Sequence, residues 1–262
     1  MASTPAPLAH DDLGRGLPVL FLHGFPHDRG FWDGAVSLLR GQVRCIVPDL
    51  PGFGQSAPIP DPQTLDAVAG RVVALLDHAR IDRAVVVGLS MGGYVALALW
   101  RLHPDRVRAL VLCDTRAAAD GPEAKLKRDA MIALAEREGA RAVAKAQLPV
   151  VLGRATRERL PATVEAAREM LERQSVAGIT SALRLLRDRP DQTPVLATIT
   201  VPTLCLVGAE DEVTPPEEME AMAALIPGAT FTRMPITGHL APFEQPGAFA
   251  AGLGVFLREL GG

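Results

Sequence analysis

Three residues that together could turn a hydroxyl into a nucleophile stand far apart in this 262-residue chain, each in a turn-like setting. Ser90 lies in "VVVGLSMGGYVALALW" (85–100), where a valine-rich run gives way to a glycine-flanked serine and then to a second apolar run. The pattern predicts a strand turning sharply into a helix, with Gly88 and Gly92 at positions where a side chain would clash. The start of that helix would offer free N–H groups and the positive end of its dipole. A serine hydroxyl is a poor nucleophile at neutral pH and needs a base. Of the six histidines, His10, His27 and His78 sit in polar, surface-like surroundings, and His103 precedes Pro104 at a helix end. His23 opens "HGFP" after a strand. His239, in "MPITGHLAPFEQP" after the last strand, is the preferred base. An acid should hold that imidazole in its useful tautomer. Asp114, Glu210 and Asp211 all follow strand-like runs; Asp211 is favoured because a glycine and two prolines fix "LVGAEDEVTPP" in a rigid turn.

The elements that must position these residues alternate. "PVLFLHG" (18–24), "VRCIVPD" (43–49), "RAVVVGL" (83–89), "VRALVLCD" (107–114), "VPTLCLVG" (201–208) and "ATFTRMP" (229–235) read as strands. Helical patterns near 31–40, 64–79, 91–102, 216–226 and 246–259 lie between and after them. Strands apolar on both faces and separated by helices imply a mostly parallel sheet covered on both sides, an α/β fold. The opening stretch "LAHDDLGRGLPVLFL" reads as a hairpin through Gly14 and Gly16, placing antiparallel strands at one edge. From Arg116 to Pro190 the strand signal vanishes and the chain becomes helical and basic, with 15 Lys plus Arg against 10 Asp plus Glu. The organisation expected is a core of residues 1–115 and 191–262 with a helical insertion, 116–190, as a cap. Pro149, Gly153, Pro161 and Gly178 would divide that cap into about four short helices.

Composition narrows the function classes. The formal net charge of -3 disfavours nucleic acid and anionic membrane surfaces as partners, leaving a small molecule. No apolar run approaches the length of a membrane span, and the N-terminal "MASTPAPLAHDDLG" has no leader pattern, so a cytoplasmic protein is expected. The three cysteines sit in strand-like runs as small apolar residues, and no CxxC or HExxH spacing occurs, so neither a metal nor a cofactor is expected. "PGFGQS" looks like a phosphate loop, but prolines rather than a helix follow it.

Taken in order, "HGFP" (23–26), "DLPGFGQS" (49–56), "GLSMGG" (88–93), "GAEDEVTP" (208–215) and "GHLAPFEQP" (238–246) resemble the signature segments of the α/β-hydrolase fold family over nearly the whole chain. The serine is that of the family's serine-nucleophile branch. Cap length and phrases such as "GLSMGGYVALAL" are similar to small carboxylesterases and 3-oxoadipate enol-lactonase-like proteins. The resemblance implies Ser90 as nucleophile, His239 as base, Asp211 as its orienter, and the backbone N–H groups of Phe25 and Met91 as an oxyanion hole. It makes His23 structural and Phe25 and Trp32 pocket-lining. The implied activity is hydrolysis of small esters through an acyl-enzyme; the alternatives are an enol-lactonase, a perhydrolase, and a ligand-binding protein on a hydrolase scaffold. Met131, Leu134, Leu148, Val151, Met170 and Leu183 of the cap could face the pocket. Oligomeric state is not legible.

Overall fold

A computed structural model describes residues 7–260. Residues 1–6 of the stretch read as carrying no leader, and 261–262 at the end of the core, lie outside it. Seven strands form one sheet: β1 His10–Leu13, β2 Pro18–Leu22, β3 Arg44–Pro48, β4 Ala84–Leu89, β5 Val107–Cys113, β6 Thr203–Gly208 and β7 Thr230–Met234, in the order β1-β3-β2-β4-β5-β6-β7. All neighbours are parallel except β1 and β3. The helices are α1 Asp33–Leu39, α2 Leu65–His78, α3 Met91–Leu102, α4 Pro122–Glu138, α5 Ala140–Val151, α6 Arg154–Arg159, α7 Pro161–Glu172, α8 Val176–Asp188, α9 Thr193–Leu196, α10 Pro216–Ala224, α11 Ala241–Glu244 and α12 Pro246–Glu259. Among the described residues no helix is long and apolar enough to cross a membrane.

The double-sided apolarity of β4 explains its central place. Val85, Val87 and Leu89 join Val36, Phe249 and Leu253 in one core layer, while Ala84 and Val86 join Val72, Leu76 and Leu97 in the other. Each such valine removed from water contributes on the order of 1.5–3 kcal/mol, so a strand buried on both faces settles in the middle of the sheet.

The opening hairpin does not form. β1 pairs antiparallel with β3, not with β2, because both edges of β2 are occupied by β3 and β4. Arg44 on β3 fixes this edge by bonding both oxygens of Asp12 on β1, at 2.9 and 2.6 Å. The antiparallel edge strand is therefore present, but it arises from a longer-range pairing.

Between β5 and β6 run five helices, α4 to α8, followed by the short α9. Gly153 and Pro161 do interrupt the helices, as the sequence suggests. Pro149 lies inside α5 instead, and Gly178 lies inside α8, where a Cβ would come within 2.0 Å of the Gly52 carbonyl oxygen. Gly139, at φ 80°, supplies a further break. Asp28, in the loop after β2, holds the end of α7: it accepts from Arg173 at 2.7 and 2.6 Å and from Gln174 at 2.8 Å.

Candidate active site

Ser90 stands between β4 and α3 with φ 50° and ψ -111°, a conformation that L-residues rarely adopt. Two glycines permit it. A Cβ at Gly88 would lie 2.4 Å from the Gly92 carbonyl oxygen, and one at Gly92 would lie 2.2 Å from that of Leu22. The turn is secured from β5: the Ser90 N–H donates to the Cys113 carbonyl at 2.9 Å, and the Thr115 hydroxyl donates to the Ser90 carbonyl at 2.8 Å. Met91 opens α3, so its N–H has no intrahelical acceptor.

Asp211 lies in the turn between β6 and α10. One of its oxygens accepts the Val213 and Thr214 N–H groups at 2.8 and 3.0 Å; the other accepts the Thr214 hydroxyl and faces His239 Nδ1 at 2.8 Å. Burial works against its charge, but the facing His239 and these hydrogen bonds outweigh it and hold the carboxyl below its ordinary range. His239, buried in the loop between β7 and α11, lines a cavity of about 340 Å³ together with Ser90 and Phe25. Three separated loops thus converge, because successive parallel strands deliver their C-terminal ends to the same edge of the sheet.

The neighbouring acids do other work. Glu210 accepts the Arg154 N–H at 2.7 Å and so ties the Asp211 turn to α6. Asp114 is wholly buried behind Asp211. Side-chain atoms of Asp114, Asp211 and His239 lie within 4.8 Å of one another, and Asp211 accepts from the Val213 and Thr214 N–H groups and the Thr214 hydroxyl while facing His239.

Of the pocket candidates, Phe25, Met131, Val151 and Leu183 line the cavity. Trp32 does not. It is fully buried on the other face of the sheet against Phe21, Phe31 and Phe249, at ring distances of 5.3, 4.8 and 5.7 Å. Met170 and Leu148 pack into that same apolar layer, and Leu134 is absent from the cavity wall. His27 is not surface-like: it is enclosed beside Phe31. His23 spans its loop, with Nδ1 2.8 Å from the Gly24 carbonyl and Nε2 accepting the Leu50 N–H at 2.8 Å. In the "DLPGFGQS" segment the buried Asp49 accepts the Arg29 and Gln55 N–H groups, both at 2.8 Å, which makes the segment a brace rather than a phosphate loop.

The charged wall of the cavity, which sequence patterning left unassigned, consists of Arg116, Asp120, Lys127 and Arg128. Each cation has an acidic partner: Arg116 has Glu218 at 3.3 Å, Lys127 has Glu123 at 2.9 Å, and Arg128 has Asp120 at 3.0 Å.

A family model described as alpha/beta hydrolase fold matches residues 18–246. The chain belongs to the α/β-hydrolase fold family. Among solved structures it is similar to a thermophilic esterase from Thermogutta terrifontis, with a TM-score of 0.94 and 42% identity, covering 97% of this chain and 93% of that one. It is also similar to the enol-lactonase from Burkholderia xenovorans LB400, with a TM-score of 0.89 and 28% identity, covering 96% of each chain. Among curated proteins it is 30% identical over 252 residues to a dihydrolipoyllysine-residue acetyltransferase component of the acetoin cleaving system of Pseudomonas putida. That match covers 93% of this chain but only 64% of the relative's length.

Proposed function

We propose that this α/β-hydrolase is a serine carboxylesterase that cleaves small esters through an acyl-enzyme. The observation that carries the reading is the buried 2.8 Å contact between Asp211 and His239 Nδ1, in the wall of the cavity that Ser90 also lines. With Nδ1–H donating to Asp211, the Nε2 lone pair is free to take the Ser90 proton as Oγ attacks the ester carbonyl. Negative charge then develops on the former carbonyl oxygen, where the backbone N–H groups of Phe25 and Met91 would meet it; a single such donor is worth about 100- to 1000-fold in rate. His239 returns the proton to the departing alcohol, and water repeats the cycle on the acyl-enzyme. Asp211 stays ionised throughout and balances the imidazolium. The esterase and enol-lactonase among the relatives support a hydrolase.

A lactone bearing a free carboxylate would need an uncompensated cation in the cavity wall. Arg116 and Lys127 each face a glutamate, while Asp120 is shared between Arg128 and Arg189, so a carboxylated lactone stays the alternative substrate. A cytoplasmic location and a helical cap over the cavity belong to the same reading. A fluorophosphonate is expected to label Ser90 stoichiometrically, and Ser90→Ala to abolish turnover of p-nitrophenyl esters. Full activity in Ser90→Ala would overturn the assignment, and a carboxylated enol-lactone turned over faster than the esters would move the substrate class.

A further inference from the structure

A second carboxyl is enclosed behind Asp211. Asp114 follows β5 in a left-handed backbone conformation, φ 46°, which places its side chain against the turn that ends β6. Its Oδ1 accepts the Gly208 N–H at 2.7 Å, while Oδ2 is buried without a hydrogen-bond partner among the described residues. Two carboxylates this close in an enclosed site cannot both remain charged. Asp211, with two N–H groups, a hydroxyl and the imidazole directed at it, is the one built to stay ionised. An oxygen buried beside a carboxylate with no donor of its own is satisfied when it carries the proton itself.

We propose that Asp114 is a neutral carboxylic acid that donates its Oδ2 hydrogen to Asp211, so that the two carboxyls hold one proton between them and Asp114 positions the acid behind His239. Burial, and then the Asp211 charge, push the Asp114 carboxyl far above its ordinary range; Glu244 on α11 adds to this and the Gly208 N–H opposes it. The remaining titratable neighbours are His239 and the thiol of Cys113, which burial also pushes up. The donated hydrogen fixes the orientation of Asp211, and loss of the shared proton would put two negative charges behind one imidazole.

The proposal rests on His239 as the base, so its test includes a readout that needs no turnover. Asp114→Asn keeps a neutral donor toward Asp211 and an acceptor for Gly208, whereas Asp114→Ala removes both. Asp114→Asn is expected to keep kcat and the pH profile of the parent, and Asp114→Ala to lower kcat on the order of tenfold with little change in KM. In the unfolded chain Asp114 ionises near pH 3.9. The folded parent keeps the proton, so its stability falls as pH rises above about 4, and the Asn variant escapes that loss. The difference in thermal midpoint between Asp114→Asn and the parent should therefore widen from pH 4 to pH 8. A constant difference across that range overturns the proposal, whatever the activities. A widening difference in a protein whose Ser90→Ala variant still turns over esters would keep the shared proton and remove the triad.

Discussion

His27 carries two ring nitrogens into the core, and neither has a well-formed hydrogen bond among the described residues. Burial, and then the neighbouring His23, lower its pKa to about 3, against the opposing Gly24 carbonyl and Asp28. The folded chain therefore keeps this ring neutral while the unfolded chain protonates it below about pH 6.5. The sign follows: stability from the neutral ring is present above pH 6.5 and is lost as pH falls toward 3, amounting to about 2 kcal/mol by pH 5. His27→Phe, beside Phe31, removes the titration and both ring nitrogens. Urea unfolding at pH 7 and pH 5 should show the parent losing about 2 kcal/mol more than this variant; equal losses would mean that the ring finds a proton in the folded state. Ser90, Asp211 and His239 were legible in the sequence because glycines and prolines constrain the backbone on each side of them. His27 and Trp32 were not, because "HGFPHDRGFW" mixes polar and aromatic residues. Which of these are covered depends on where α1 and α12 pack, and their neighbours in sequence do not carry that information.

At the scale of elements, the His239 loop is held by α11. Glu244 accepts the Gly238 N–H at 2.8 Å with one oxygen and the Gly153 N–H at 2.9 Å with the other, so one buried carboxylate joins the loop to the start of α6. Burial raises its pKa, and these N–H groups work in the opposite direction. Glu244→Gln keeps one acceptor and turns an NH2 toward the second N–H. The expected cost is about 1–3 kcal/mol of stability, with kcat falling more than KM changes if the displaced His239 is the base we propose rather than a substrate contact. Urea unfolding and steady-state kinetics check this, and an unchanged kcat would show that the loop is held without the clamp. The sequence exposed the strands and most helices through their periodicity. It did not reveal the β1–β3 pairing, where partners are 32 residues apart at Asp12 and Arg44, nor the role of Glu244, whose partners are 6 and 91 residues away.

The whole molecule places a two-faced sheet under a helical segment that touches it in two ways. At its rim the segment is tied by polar contacts, Arg173 and Gln174 to Asp28 and the Arg154 N–H to Glu210 at 2.7 Å. Over the cavity it offers apolar side chains, Met131 on α4, Val151 on α5 and Leu183 on α8. Rim contacts fix where the segment sits, and the apolar wall then fixes how much room remains beside Ser90. If the segment sets the acyl preference, shortening the wall should lengthen the favoured chain. Each methylene newly buried contributes about 0.8 kcal/mol, close to fourfold in kcat/KM. Leu183→Ala opens space for one or two methylenes while leaving the rim pairs in place, so the optimum of a p-nitrophenyl ester series should move by that much toward longer chains. Asp28→Asn, which weakens the rim and leaves the wall intact, should instead lower kcat/KM across the series without moving its optimum. An unmoved optimum in Leu183→Ala would assign acyl selection to the core residues around Phe25 rather than to the segment above them.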